Sequence, residues 1–499
     1  MRRLYLPLVV AIAVSGWVIR AFPLLYFGAR ESIVDYDEGV YFAAVALFSH
    51  GALPYRDFIY VHPSGFLYLW SILLGYWSHS DPAVGFAVAR WFNTMIGAIN
   101  IGLIGWVATV SFGRCAGLAA ASLYAVSLFT VWTERSLMLE PSLNLACLGL
   151  AGCWLGGSRE MSRTRACAAG ALLATAITIK LWGALWIIPC LASLPPRFSR
   201  KQLCAFLAGA VVASLLLLGI PFANAPKAFW DQIVLFQFWR PPDGVNRVVR
   251  VLFMISVRPT YVLSTASAIA GLCVVLYRGR HATRAERFVA AAWGSIFILF
   301  LISKTFFEHY LAHLMVPGAL LGGLSISVLV RWASTKRARV QVALAVVCVS
   351  AWTYSTARVM LLPVRAPWLL QIGQTVAKVV PAHASLLAFE PAWAIAGGHL
   401  PTAAPGTLVM LDPYADMIYA AVENGARFPN VVSALHSDAA QRRLRAVLED
   451  SDFVILGRRG RRQSSPDTMA WLRAHYIRRS PSQDIDDLDL WERGPAEPR

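Results

Sequence analysis

Apolar segments long enough to cross a bilayer follow one another from residue 4 almost to residue 361, and this succession dictates the fold. A hydrocarbon core ~30 Å thick takes about 20 residues of helix, which satisfies its own backbone hydrogen bonds. Eleven stretches fit: 4–27, 84–111, 115–133, 139–157, 165–180, 181–195, 203–222, 252–277, 286–303, 310–331 and 340–361. Two of these, 165–180 and 181–195, are short and adjoin at Lys180, so they read as tilted or broken. The aromatic segment 64–77 is too short to span and reads as a helix lying along the membrane surface. The expected class is an α-helical multispanning membrane protein. Composition agrees: only 15% of the 499 residues are charged and 57% are hydrophobic, far from the balance of a water-soluble chain.

The formal charge of +17 raises the question of nucleic acid, but its distribution argues against that partner. Basic residues gather in short runs between apolar segments, the bias that keeps such loops in the cytoplasm. Arg114, Arg159–Arg165, Arg197–Lys201, Arg278–Arg287 and Arg331–Arg339 fall on one side of an eleven-span topology. Loops 35–62, 134–140, 221–250 and 304–309, with Lys180, fall on the other, the side that takes nearly every acid of this part. The apolar run after Met1-Arg-Arg3 is too long for a cleaved signal and lacks a clean cleavage site. It reads as a retained helix with a cytoplasmic N-terminus. These features predict a multi-pass protein of the plasma (inner) membrane with its C-terminus outside. The eight cysteines all precede residue 360, mostly within apolar segments, without ligand-like spacing; they read as packing residues.

From residue 362 the chain turns polar, charged and rich in proline. Short apolar runs at Ser385–Phe389 and Asp452–Leu456 predict strands, and Asp484–Glu492 a late one. Asp438–Asp450 reads as a helix with Leu444, Val447 and Leu448 on one face. The expected organisation is a transmembrane catalytic domain, 1–361, with an active-site loop at 29–63, and a small extracytoplasmic α/β domain, 362–499. No internal repeat and no nucleotide-binding glycine motif is present in the sequence.

Chemistry concentrates just beyond the first span, at Asp35-Tyr-Asp37-Glu38. Ionised groups at a membrane boundary are costly to keep without a use. The plain alternative is that they complement the dipole of a helix beginning there. Asp57, Arg56, His62 and several tyrosines in the same loop strengthen the functional reading.

Asp37-Glu38, Gly51-Ala-Leu-Pro-Tyr-Arg-Asp-Phe58 and His62-Pro-Ser-Gly65 together resemble the C superfamily of membrane glycosyltransferases. The nearest branch is that of protein O-mannosyltransferases and aminoarabinose lipid A transferases. Glu140-Pro141, Ala176-Ile-Thr-Ile-Lys180 and His309-Tyr310 ahead of Pro317 extend the likeness through the membrane part. Beyond it the match is confined to Leu387–Pro391 through Gly398. The resemblance implies a polyprenyl-phosphate sugar donor and inverting transfer to a hydroxyl of a lipid, glycan or protein acceptor outside the cytoplasm. Asp37 is then the expected base, with Glu38 its rival and Glu140 a further active-site acid. His62, Lys180, His309, Tyr310 and Lys304 are the expected partners of the donor phosphate. His62 stands where the lipid A branch has Lys, and Ser64 replaces a proline, which alters the turn.

Each assignment has a structural counterpart. Glu140-Pro141 is also an ordinary helix start. Lys180 is also placed to snorkel and His62 to sit in the headgroup layer, while Phe306, Phe307 and Tyr310 suit an aromatic belt. Arg20, deep in the first span, faces a cavity or reaches outward, and Glu134 and Arg135 pair with each other or with neighbours. Loop 222–250 is a candidate lid. Asp37, Glu38 and Glu140 offer oxygen ligands for a divalent metal, though no spacing demands one. A transporter or flippase of lipid-linked sugars is the alternative, disfavoured by the missing repeat and by charges at the boundary rather than mid-membrane. A scaffold displaying its C-terminal part leaves the acidic loop unexplained.

Overall fold

The computed structural model describes residues 5–28, 35–157, 160–255, 259–335, 350, 353–354, 356–357, 368–403, 406–479 and 488–495. It is mostly helical. Among the described residues six helices are long and apolar enough to cross a membrane: Tyr5–Tyr26, Pro82–Phe112, Arg200–Asn224, Val262–His281, Arg284–Ile302 and Glu308–Ala333. Arg114–Ala125 and Leu128–Glu134 are apolar enough only when taken together, and the pair, bent by 62°, is a broken span or a re-entrant loop. The expected spans at 139–157 and 165–180 are the 17-residue helices Leu139–Leu155 and Arg163–Ile179. The chain breaks at Lys180, which is extended, before a 3-10 turn at Leu181–Trp186 and a short helix to Ala192. The stretch 340–361 lies outside the described residues.

The chain divides into two compact units. The first comprises 1–26, 91–217 and 245–363. At its centre Leu311–Ala333 packs against Arg114–Ala125 and Pro259–Arg278. Glycines allow this: a Cβ on Gly323 would meet the Ala116 carbonyl oxygen at 2.5 Å, and one on Gly271 would collide with that of Leu321. By contrast, Arg200–Asn224 leaves Leu203, Leu207, Val211 and Leu215 exposed, a continuous apolar face suited to lipid.

The second unit comprises 27–90, 218–244 and 364–499. Its sheet joins β1 (Leu386–Ala388), β2 (Phe453–Leu456), β3 (Tyr476–Arg478) and β4 (Asp489–Arg493) in the order β1-β2-β4-β3. The β1–β2 pair is parallel and the other two are antiparallel. Both faces are covered, because alternation sends Leu387, Val454 and Leu456 into one core and Leu386, Ala388 and Ile455 into another. Helix Asp438–Asp450 buries Leu444, Val447 and Leu448, the face read from its periodicity. Strand β3 was not foreseen: three residues with two exposed carry too little pattern.

Candidate functional site

The acidic loop is largely a helix, Tyr36–Ser49, started by Asp35, whose carboxylate caps the Asp37 N–H at 3.1 Å. Asp35 therefore has the structural role open to it. Glu38 and Asp37, one residue apart, have opposite fates. Glu38 is wholly buried in a two-pronged pair with Arg90, Nε to Oε1 at 2.6 Å and Nη2 to Oε2 at 2.8 Å. Both carboxylate oxygens are engaged by one guanidinium. Asp37 stays half-buried. The Tyr41 hydroxyl reaches its Oδ2 at 3.4 Å and lies 3.3 Å from His62 Nε2.

The segment carrying His62 is held from several sides. Asp57 Oδ2 accepts from Leu53 N–H at 2.7 Å, and Gln232 Oε1 accepts from Tyr60 N–H at 2.9 Å. Gln237 Nε2 donates to the Val61 carbonyl at 3.1 Å. Tyr55 sits in the left-handed region at φ 72°, unusual for a residue with a Cβ. Its buried ring compensates, because the hydroxyl donates to the His62 carbonyl at 2.8 Å. The motif Gly51–Phe58 thus builds the turn that presents His62. Tyr60 is buried with its hydroxyl unpartnered among the described residues. Burial first, and the charge of Asp37 second, push that phenol upward.

Residues far along the chain complete this half. Tyr36 donates to Asp412 Oδ1 at 2.9 Å, and the Arg459 guanidinium lies 3.9 Å above the Tyr36 ring. Arg459 Nε is 3.3 Å from Glu390 Oε1. A Cβ on Gly39 would fall 2.6 Å from the Ala392 backbone nitrogen, so glycine is needed for this approach.

The first unit holds the other predicted residues in two polar clusters. In one, Lys180 Nζ meets Glu140 Oε1 at 2.6 Å, and His309 Nε2 is 3.9 Å from the same oxygen. The ammonium also lies 3.8 Å from the Trp182 ring centre and 4.4 Å from that of Tyr310. Glu140, Lys180, His309 and Tyr310 are therefore together, and all are buried. Glu140 serves Lys180 rather than standing as a free acid. Lys304 is exposed, on a turn whose carbonyls at Phe300, Ser303 and Lys304 accept from Arg250.

The other cluster decides between the alternatives for Arg20 and Glu134. Arg20 reaches no external group; its Nε donates to Glu134 Oε2 at 2.7 Å, and its Nη1 to the Ala125 carbonyl left free at the helix bend. Glu134 pairs with Arg20, not Arg135, and its Oε1 accepts from Tyr124 at 2.7 Å and Asn100 at 3.0 Å. Trp186 Nε1 donates to His313 Nε2 at 3.1 Å, which puts the proton on Nδ1 facing Asn144 Oδ1 at 2.7 Å. Apart from Asn100 Oδ1, which has no partner among the described residues, the named groups are bonded to one another, and this network acts as a buried scaffold. As for a metal, both glutamates of the expected set give their charge to protein cations.

No protein-family model and no curated protein sequence matches the chain. Solved structures do. ArnT from Cupriavidus metallidurans bound to undecaprenyl phosphate superposes with a TM-score of 0.64 at 16% identity, covering 99% of both chains. The archaeal oligosaccharyltransferase AglB from Archaeoglobus fulgidus, in complex with an inhibitory peptide and a dolichol-phosphate, gives 0.58 at 12% identity. That match covers 97% of this chain and 75% of the other. Both are members of the GT-C superfamily of glycosyltransferases. This chain has the GT-C fold.

Within the GT-C fold, sequence reading missed Arg90, Arg250 and Arg459. Arg90 left a signal, since a lone arginine in an apolar segment needs a buried partner. Arg250 lies in the candidate lid and Arg459 in a basic run, Arg458–Arg462, where charge alone does not single out one residue.

Proposed function

We propose that this GT-C-fold chain is an inverting glycosyltransferase that moves a sugar from a polyprenyl phosphate to an acceptor hydroxyl. The observation that carries the reading is the full-length likeness to ArnT bound to undecaprenyl phosphate, joined to an acidic turn in which Glu38 is wholly buried against Arg90 and Asp37 is half-buried. In this reading the acceptor oxygen attacks the anomeric carbon as its proton passes to Asp37. The bond from that carbon to the phosphate oxygen breaks, and polyprenyl phosphate leaves with the electron pair. The leaving group is already a stable anion, so no acid partner is needed, unlike the carboxyl pairs of glycosidases. Lys180, His309 and Tyr310 are assigned to the phosphate, Lys180 as the fixed positive charge, with His62 and Lys304 as further donors.

The topology read from the loops belongs to the same proposal. It has eleven crossings, a cytoplasmic N-terminus and a home in the inner membrane. Residues 362–499 and the acidic turn lie outside the cytoplasm, where the acceptor is a lipid, glycan or protein.

The test is purified protein in nanodiscs with undecaprenyl-phosphate carrying labelled mannose, glucose or aminoarabinose, and extracted envelope lipids and glycans as acceptors. Asp37→Asn should lower transfer by about 10²–10⁴-fold with an unchanged unfolding midpoint. Transfer at the wild-type rate removes Asp37 from the mechanism. Movement of lipid-linked sugar across the bilayer without transfer would favour a flippase.

A further inference from the structure

Asp37 lies in a turn gripped from its neighbours on both sides. On one side Glu38 is locked to Arg90. On the other, Tyr36 is fixed at two points, by its hydroxyl bond to Asp412 and by the guanidinium stacked on its ring. That guanidinium belongs to Arg459, in the short helix Arg458–Gln463, and Glu390 steadies it at 3.3 Å. Gly39, one turn on, lies against Ala392, two residues after Glu390. Tyr36, Glu38 and Gly39 are thus each tied to residues distant in sequence, and Asp37 among them is half-buried.

Arg459 does more than brace Tyr36. Burial works against its charge, and Tyr36, Glu390, Asp37 and Asp412, in that order, favour it. Among the described residues of this unit, the charged and titratable groups that bear on Asp37 include Asp35, Tyr36, Tyr41 with His62, Tyr60, Tyr414 with Arg240 beside it, and Arg459 with Glu390 and Asp412. Asp35, Glu390 and Asp412 are anionic, and like charges favour the protonated form of a carboxylate. Arg459 opposes them.

We propose that Arg459 is a positioning residue for Asp37, holding the first turn of its helix through Tyr36 and Glu390 and supplying the cationic neighbour of the carboxylate. The proposal rests on the reading of Asp37 as the base for its purpose, but not for its test. A base must be ionised before the acceptor arrives, and a fixed guanidinium does this without a mobile ion. The contacts run from residue 36 to residue 459, so the sheet-bearing part would be a component of the reaction centre rather than an appendage.

The test reads Asp37 directly. Infrared difference spectra of the full chain in nanodiscs, wild type minus Asp37→Asn, isolate the carboxyl band of Asp37 across a pH titration. Arg459→Gln should raise its midpoint by about one to three pH units, and Arg459→Lys should return it most of the way. A folded Arg459→Gln with an unmoved midpoint overturns the proposal. If Arg459→Gln does not fold, Glu390→Gln decides: removing the anion beside Arg459 should lower the midpoint, and no change overturns the proposal. A merely structural Arg459 would lower the unfolding temperature and leave the band where it was. Transfer by Asp37→Asn at the wild-type rate, with the Arg459 shift intact, would strike down the base reading alone.

Discussion

Glu38 and Glu140 are both shut away from solvent and both meet a cation, yet the two pairs leave different amounts of chemistry unused. Arg90 offers a planar fork that engages both oxygens of Glu38. Lys180 is a point charge; it takes Oε1 of Glu140 and leaves Oε2 without a hydrogen-bond partner among the described residues. Lys180 also sits against two aromatic faces, which favour a cation but saturate none of its protons. One pair is closed and holds a helix in place. In the other, the ammonium protons of Lys180 beyond the one given to Glu140 are what its proposed contact with the donor phosphate would use.

The comparison can be broken by cutting each pair. Arg90→Ala strands a buried carboxylate, so unfolding in detergent should become easier by about 3–5 kcal/mol, with recovery in the Glu38→Gln/Arg90→Ala double variant. A milder loss would mean that Glu38 finds another partner and is not closed. Lys180→Met should cost less stability than Arg90→Ala while weakening binding of undecaprenyl phosphate by about ten- to a hundredfold, measured by tryptophan quenching in nanodiscs. Unchanged binding would make Glu140–Lys180 a second structural pair.

The smallest effect sharpens the contrast from the other side. Burial first raises the Asp412 carboxyl above its ordinary value, against the Ala415 N–H, the Tyr36 hydroxyl and the charge of Arg459. The folded chain therefore holds this proton to higher pH than the unfolded chain. The contribution of Asp412 to folding is best below 3.8, falls as pH climbs from there through the raised value, and is a constant deficit above it. Asp412→Asn keeps an acceptor for Tyr36 and removes that deficit. Stability at pH 7 should rise on the order of 1 kcal/mol or less, and its fall on the alkaline side of pH 4 should flatten. A clear loss instead would show that the charge of Asp412, not its oxygen, fixes Tyr36.

The sequence by itself determined the membrane character, the break at Lys180 and the neighbourhood of Glu140, Lys180, His309 and Tyr310. Hydrophobic run length and local charge are properties of contiguous residues, and motif resemblance pointed to the cluster before any coordinates did. It ranked Asp37 ahead of Glu38 by resemblance, but it did not show that Glu38 is the one buried in an ion pair. That difference depends on Arg90, 52 positions from Glu38, and on which face of a single turn meets it. Nor did it attach Tyr36 to Asp412 and Arg459, contacts that span nearly the whole chain. Buried ion pairs form where packing brings opposite charges into one dry space, and no local pattern records which distant charge will arrive there.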